Sequence, residues 1–360
     1  MRIFQVCADP GIAPDGTKGG SIHLRSIGTA LTRAGHEVTL FTARPPRSAE
    51  GFPFAVRPVE SLLDSGGADV VYERYALGRA EGLHAARALG CPFALEVNAP
   101  LVREAIQHRP ETVTPGDDRV ERELFTAADL VVAVSGPLRR YAARMRGTLQ
   151  GTAVVPNGCD AERYPVAAAV DGGEPNTVVF LGHPKPWHGA GSLPELIGSL
   201  RRRGRDVRLL VVGGGPGGEA IAERARELGV GDLVTVTGAV SPEEAARRVL
   251  EGTVAVAPYP RIPLFYFCPL KVVECMAAGL PVVATRQGDI PRILGDAGVL
   301  VPPADPAALA DAVDGLLGDD AARSAMGARG RARALGEYTW DAAARRLTSL
   351  LEATVEEAVA

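Results

Sequence analysis

Lysine is almost missing from this chain of 360 residues. Lysine and arginine together number 39, and only Lys18, Lys185 and Lys271 are lysine. A bias toward arginine says little by itself, but the places where lysine persists can carry information. The 5 cysteines (Cys7, Cys91, Cys159, Cys268, Cys275) are odd in number and lack Cys-x-x-Cys spacing. That pattern suggests neither a disulfide framework nor a zinc site and suits a reducing compartment. No apolar run approaches the roughly 18 residues of a membrane span. The opening MRIFQVCADPG lacks the basic, apolar and cleavage-site succession of an export signal. A cytoplasmic protein is expected. With a net charge of −4 the chain has no field to gather nucleic acid or an anionic membrane, and the basic run from Arg201 to Arg205 reads as a solvated helix end. There is no Asp-x-Asp and no metal-ligand cluster.

Apolar residues make up 46% of the chain, enough for a sizeable core in each of two domains. Short β-branched runs alternate with longer helical patterns, the signature of parallel βαβ units. Strands are expected at Arg2–Cys7, Glu37–Thr42, Val70–Tyr72, Phe93–Glu96, Leu130–Val134 and Ala153–Val155, with a helix over Ser21–Arg33 ended by Gly35. Small, polar and turn residues over 166–177 suggest a linker. The pattern then restarts, with strands at Val178–Gly182, Val207–Val212, Leu233–Thr237, Val254–Ala257, Pro281–Ala284 and Val299–Val301. Helices are expected near 190–203, 217–228, 242–251 and 269–278, and a final helical region runs from Ala307 to Ala360. The predicted fold is α/β, two doubly wound parallel-sheet, Rossmann-like domains facing across a cleft. Domain boundaries are expected at 1–165 and 166–335, with a C-terminal helix, 336–360, returning to the first domain. Ligand sites of such sheets lie outside the carboxyl ends of the strands.

The stretch PLKVVECMAAGLPVVAT, Pro269 to Thr285, reads as a short helix, a glycine cap and a buried strand. Lys271 and Glu274 are three apart on one face near the helix N-terminus, while Val272, Val273 and Met276 supply a buried face. Free N–H groups and the positive dipole end bind phosphate, and Lys271 adds a full charge. A carboxylate one turn deeper is placed to accept two hydroxyl hydrogen bonds, as from a ribose diol. The competing reading is a simple i, i+3 ion pair.

CPLKVVECMAAGLPVVAT resembles the nucleotide-sugar motif of the family 4 (group 1) retaining glycosyltransferases of GT-B fold, in its SPLK-type branch. Glu274 matches the second glutamate of that motif, the ribose ligand, and Tyr266 stands where relatives carry the first. The resemblance therefore implies that backbone groups of Phe267, Cys268, Pro269 and Leu270 help to hold the donor. FLGHPKPWHGAGSLPEL, Phe180 to Leu196, is similar to the strand and loop where basic residues hold the diphosphate, which implies Lys185 and His183, with His188 beside them. VVPNGCDAERY, Val154 to Tyr164, resembles the segment leading to the hinge. In the first domain DPGIAPDGTKGGSIHLRSIGTAL, Asp9 to Leu31, resembles the first strand-to-helix loop, with Gly19 and Gly20 beside the donor and Lys18 and His23 toward the acceptor. Glu73, Arg74, Glu96 and Asn98 end predicted strands and complete the acceptor side, Arg74 taking a position where relatives often carry histidine.

VVGGGPGGEA contains Gly213-x-Gly215-x-x-Gly218 after a strand, a formal match to a dinucleotide fingerprint. The acid expected about twenty residues on is absent, and that reading leaves Lys271 and Glu274 without a role. Gly213 and Gly215 are instead assigned to the donor nucleotide. The resemblance implies metal-independent transfer of a sugar from a nucleoside diphosphate sugar such as a UDP-sugar to a hydroxyl or other nucleophilic acceptor. Lys185, Lys271, Glu274 and Arg74 are the catalytic candidates, with no further cofactor and no metal, in a monomer or weak homodimer. A nucleotide-sugar epimerase, a non-catalytic nucleotide-sugar binder and an NAD-dependent oxidoreductase stay open as alternatives.

Overall fold

The structure, a computed structural model, describes residues 1–16, 18–48, 50–164 and 176–360. Most of the expected linker, 166–175, therefore lies outside the described residues. Two compact units emerge. The first comprises Met1–Asn157, Tyr266–Cys268 and Trp340–Ala360, and the second Gly158–Phe265 and Pro269–Thr339. The chain crosses between units at 157/158 and 339/340, where the sequence reading placed boundaries at 165/166 and 335/336. The reason is local bonding: the Cys159 N–H donates to the Tyr338 carbonyl and Arg331 donates to the Tyr164 carbonyl, so both segments are held in the second unit.

The first unit contains β1 (Arg2–Cys7), α1 (Gly19–Arg33), β2 (Glu37–Thr42), β3 (Ala55–Pro58), β4 (Val70–Arg74), α2 (Glu81–Leu89), β5 (Phe93–Val97), α3 (Leu101–His108), α4 (Asp117–Ala127), β6 (Leu130–Ala133), α5 (Gly136–Arg146) and β7 (Thr152–Val154). Its sheet has the order β3-β2-β1-β4-β5-β6-β7, and every pairing is parallel. Strands covered on both faces are buried along almost their whole length, as β1, β2 and β6 are; β6 reads LVVA, while β1 and β2 bury Gln5 and Thr39 among apolar neighbours. β3 escapes that pattern because it is an exposed edge, AVRP, ending in proline.

The second unit contains β8 (Asn176–Leu181), α6 (Leu193–Arg202), β9 (Val207–Val212), α7 (Pro216–Glu227), β10 (Val234–Val236), α8 (Pro242–Val249), β11 (Val254–Ala257), α9 (Leu270–Ala277), β12 (Val282–Thr285), α10 (Ile290–Leu294), β13 (Gly298–Val301), α11 (Pro306–Leu317) and α12 (Asp320–Glu337). The sheet order is β10-β9-β8-β11-β12-β13, again all parallel. The order reverses between β1 and β4 in one sheet and between β8 and β11 in the other. Those are the switch points at which such sheets bind ligands.

The final helix, α13 (Trp340–Val359), belongs to the first unit. Trp340, Ala343, Leu347 and Leu351 are buried with Leu24, Ile27 and Leu31 of α1 in one cluster. Among the described residues no helix is long and apolar enough to cross a membrane.

Candidate active site

In the second unit three loops meet at the ends of β8, β9 and β11. After β8 the chain turns at Gly182 (φ 101°), and after β9 at Gly213 (φ 144°). The two turns are in backbone contact. A Cβ on Gly213 would stand 2.5 Å from the Gly182 carbonyl oxygen, and one on Gly217 would stand 2.0 Å from that of Pro184. Only glycine permits this approach, which explains a glycine-rich sequence here without any dinucleotide. His183, exposed on this turn, has Nδ1 3.0 Å from the Gly214 carbonyl oxygen and 3.4 Å from the Gly214 backbone nitrogen. Its imidazole ties the two loops together. Lys185 is exposed, and His188 is half-buried with Nδ1 2.8 Å from the His183 carbonyl.

Lys271 enters the same place from the first turn of α9, whose N-terminus has no side-chain cap. Its Nζ lies 4.1 Å from the Phe180 ring centroid and 5.6 Å from that of Tyr259. A Cβ on Gly182 would be 3.8 Å from it. Among the described residues this buried nitrogen has no hydrogen-bond partner. It makes none to Glu274, so the i, i+3 ion pair is not formed. Burial pushes its pKa down to about 7, with only weak opposition from Cys275 and Glu274. Two aromatic faces replace part of the lost solvation. Burial, and then the Lys271 charge, likewise depress His188 to about 4.

Glu274 is half-buried one turn further along α9. Burial raises its pKa, and a hydrogen bond from the Tyr164 hydroxyl opposes the rise. The lysine, over aromatic faces, and the glutamate, bonded by Tyr164, are not paired with each other and are available to separate parts of a ligand. Phe180, Tyr259 and Tyr164 were not among the expected site residues. The first two stand at strand ends (FLGH and APYP), which was the available signal.

The first unit holds a second polar cluster, at the ends of β1, β4 and β5. Glu96 is buried, and burial alone would raise its pKa. Contacts from His23, Arg74 and the Tyr72 hydroxyl prevail and hold it at about 2. His23 Nε2 touches one carboxylate oxygen, and Arg74 Nη1 is 3.7 Å from the other. The His23 ring also stands edge-on to Trp340, with centroids 5.2 Å apart. Glu96 and His23 are therefore committed to each other, and Arg74 is the member with some exposure. Gly20 packs close by: a Cβ there would stand 3.0 Å from Ile12 Cδ1 and in contact with Arg74 Nη2 at 3.6 Å. Asn98 is half-buried, with Nδ2 lacking a hydrogen-bond partner among the described residues. Lys18 and Gly19 are exposed at the start of α1.

Glu73 departs from expectation. Adjacent strand residues face opposite sides of a sheet, so it points away from Arg74 and accepts the Gly82 N–H at 3.1 Å at the start of α2. It is a helix cap on the other face, not a partner of Arg74. Tyr266 and Cys268 pack on the first unit, where the Tyr266 carbonyl accepts the Ser135 hydroxyl at 2.7 Å. Phe267 and Cys268 thus fall in that unit, while Pro269 and Leu270 begin α9 in the second.

Two parallel α/β units, one carrying abutting glycine turns over a buried lysine, define the GT-B class of glycosyltransferase. Comparison with known proteins agrees. Residues 17–163 match the model described as Glycosyltransferase Family 4, and residues 175–319 match that for Glycosyl transferases group 1. The GDP-mannose-dependent alpha-(1-6)-phosphatidylinositol monomannoside mannosyltransferase of Mycolicibacterium smegmatis is 31% identical over 285 residues, 73% of this chain and 75% of that protein. Its Mycobacterium tuberculosis counterpart is 33% identical over 245 residues, and the match covers 64% of each chain. Among solved structures, sucrose-phosphate synthase from Thermosynechococcus elongatus superposes with TM-score 0.72 at 23% identity, covering 99% of both chains. HepE of Anabaena in complex with UDP gives 0.73 at 18% identity, covering 98% of this chain and 100% of that one. The chain belongs to the group 1 glycosyltransferases of family 4.

Proposed function

We propose that the protein transfers a hexosyl group from a nucleoside diphosphate sugar to an acceptor hydroxyl, with retained anomeric configuration and without a metal ion. The observation that carries this reading is the buried Lys271 ammonium, which has no hydrogen-bond partner among the described residues and sits at a helix N-terminus without a side-chain cap. A diphosphate supplies the anion both features lack. Lys271, Lys185 and the amides at Leu270 stabilise charge as it grows on the leaving diphosphate, in fixed positions that need no reorganisation. Glu274 accepts the two ribose hydroxyls. The acceptor oxygen bonds to C1 of the sugar as the bond from C1 to the phosphate oxygen breaks. The hydroxyl proton passes to that departing oxygen on the same face, so no separate general base is needed. Arg74, with Lys18 and Asn98, orients the acceptor.

The names of the mycobacterial relatives make GDP-mannose the first donor to try and an inositol-based polyol the first acceptor. Thermal shift across GDP, UDP, ADP, NAD and their sugar conjugates ranks donors, because stabilisation follows affinity. Mass spectrometry and NMR of the product in EDTA then report transfer and the anomeric configuration. Glu274→Gln is expected to weaken donor binding by about 10- to 150-fold, from roughly 1.5–3 kcal/mol for hydrogen bonds to a charged group. Unchanged affinity, or an inverted product, would refute the reading.

A further inference from the structure

The first unit has a second pocket, at the opposite end of its strands from the Arg74–Glu96 cluster. Arg2, Glu37 and Ala55, the first residues of β1, β2 and β3, all line it. It opens at a corner of the sheet, because β3 pairs with β2 only from Thr39 onward and β2 starts two residues earlier. Its volume of about 310 Å³ lies at the lower end of the roughly 300–1,000 Å³ of small-molecule sites. Two arginines converge there on one residue. Arg2 Nη2 donates to the Ser65 carbonyl at 3.1 Å, and Arg57 Nη1 donates to the Ser65 hydroxyl at 3.1 Å. That hydroxyl donates in turn to the Ser61 carbonyl at 2.7 Å, so a buried serine at the end of the Leu63–Ser65 turn holds both guanidinium groups in place. Arg2 is braced further by the Phe4 ring, whose centroid is 5.5 Å from its Cζ. Donors are left over: Arg2 Nη1 and Arg57 Nε and Nη2 make no hydrogen bond among the described residues. Gly66, at φ 81°, sets no side chain over Arg2 Nη1, from which a Cβ would stand 3.5 Å. The one carboxylate in the lining is Glu37, 3.4 Å from Arg2 Nε, and Arg57 has no acidic partner among the described residues.

We propose that this pocket binds a phosphate group between Arg2 and Arg57, carried by a small phosphate monoester or present as the free ion. Two cations held on one serine repel each other, and a shared anion turns that repulsion into attraction. A single guanidinium fork matches the two oxygens of a carboxylate, whereas two forks from different strands suit the three oxygens of a phosphate. Because Ser65 fixes the two groups beforehand, little side-chain order has to be gained on binding. The pocket shares no residue with the donor and acceptor groups described above, so the inference does not rest on the transferase reading.

Inorganic phosphate and glycerol 3-phosphate are the probes, with acetate for comparison, all used with the whole chain. Calorimetry is run in a Lys271→Met background, which removes the buried cation of the second unit and keeps the readout on the first. Arg57→Gln should weaken phosphate binding at least tenfold. Arg57→Lys should weaken it less, because an ammonium keeps the charge and loses the fork. Glu37→Gln should tighten it at least twofold by freeing Arg2 from its carboxylate. Arg57 and Glu37 are both exposed, so these variants are expected to fold. Crystals soaked in inorganic phosphate should show the ion within hydrogen-bond distance of Arg2 and Arg57. Tighter binding of glycerol 3-phosphate than of inorganic phosphate identifies an ester as the ligand, and the reverse order identifies the free ion. Acetate binding as tightly as either probe overturns the assignment to phosphate. Equal phosphate binding with and without Arg57→Gln, or density only at other arginines, marks an adventitious ion only and overturns the site.

Discussion

Lys271 shows how much one side chain's surroundings can decide. A lysine in water is charged at any physiological pH, whereas burial against Phe180 brings this one to about 7. Its folded value lies below its unfolded value near 10.5. The unfolded chain therefore holds the extra proton between those limits, and stability rises with pH across that window. Lys271→Met should flatten this rise, as checked by chemical denaturation at pH 6.5 and 9. A bound diphosphate acts in the opposite sense, since it favours the ammonium form. Calorimetry should find nucleotide affinity falling as pH climbs from 7 to 9 in wild type, while Lys271→Met binds at least tenfold more weakly with a flatter profile. An equal pH slope in both proteins would show that another group carries the dependence. The stretch PLKVVECMAAGLPVVAT pointed to this residue and to Glu274 beside it. Its aromatic cage was not legible, because Phe180 and Tyr259 lie 91 and 12 positions away and look like ordinary core residues at strand ends.

At the level of strands, helices and turns, alternation explains the one misplaced acceptor candidate. In β4, Tyr72 and Arg74 share the face that meets Glu96 on β5, and Arg74 pairs with Glu96 in register. Glu73 must then turn to the other face, where α2 begins. The period of two was present in the sequence VVYER, and applying it would have separated the two neighbours. Buried at that helix start, Glu73 has its pKa raised to about 8, chiefly by loss of solvent and against hydrogen bonds from Gly82 and Leu83. The folded state thus keeps a proton that the unfolded chain loses near 4.5, so stability falls as pH rises from about 4.5 to 8. Glu73→Gln should gain on wild type across that window, which a series of melting temperatures will read. A melting-temperature difference that does not move with pH would mean Glu73 is charged in the fold. The glycine turns make a paired prediction. Gly217→Ala places a methyl against the Pro184 carbonyl and should cost about 1–3 kcal/mol through overpacking. Gly19→Ala places its methyl where no described residue beyond its own helix backbone and chain neighbours comes within 4 Å. Its stability should hold, and any loss of turnover there would report contact with a ligand. The parallel strands themselves were readable because burial on both faces leaves short segments rich in apolar and β-branched residues, and β3 was lost because the exposed edge AVRP has a single valine beside arginine and proline.

For the whole molecule, the path of the chain matters more than the list of its elements. Local patterns place each βαβ unit but cannot say which unit claims a distant segment. The first unit takes back α13 from beyond the second and also takes Tyr266–Cys268. The closing of its core therefore waits for residues synthesised more than 180 positions after β7. Trp340 covers His23, and Leu347, fully buried, fills the space along α1. A fragment of residues 1–157 leaves Leu24, Ile27 and Leu31 without their cover and is expected to fail to give a cooperative unfolding transition. In the intact chain Leu347→Ala removes buried methyl groups at a site the helix pair cannot close, costing about 2–5 kcal/mol. That loss should appear in the transition reported by hydrogen exchange at β1 and α1, with β8 and β9 protected as in wild type. Equal loss of protection in both sheets would mean that the two units unfold as one, and a stable 1–157 fragment would mean that α13 is an accessory rather than part of the first core.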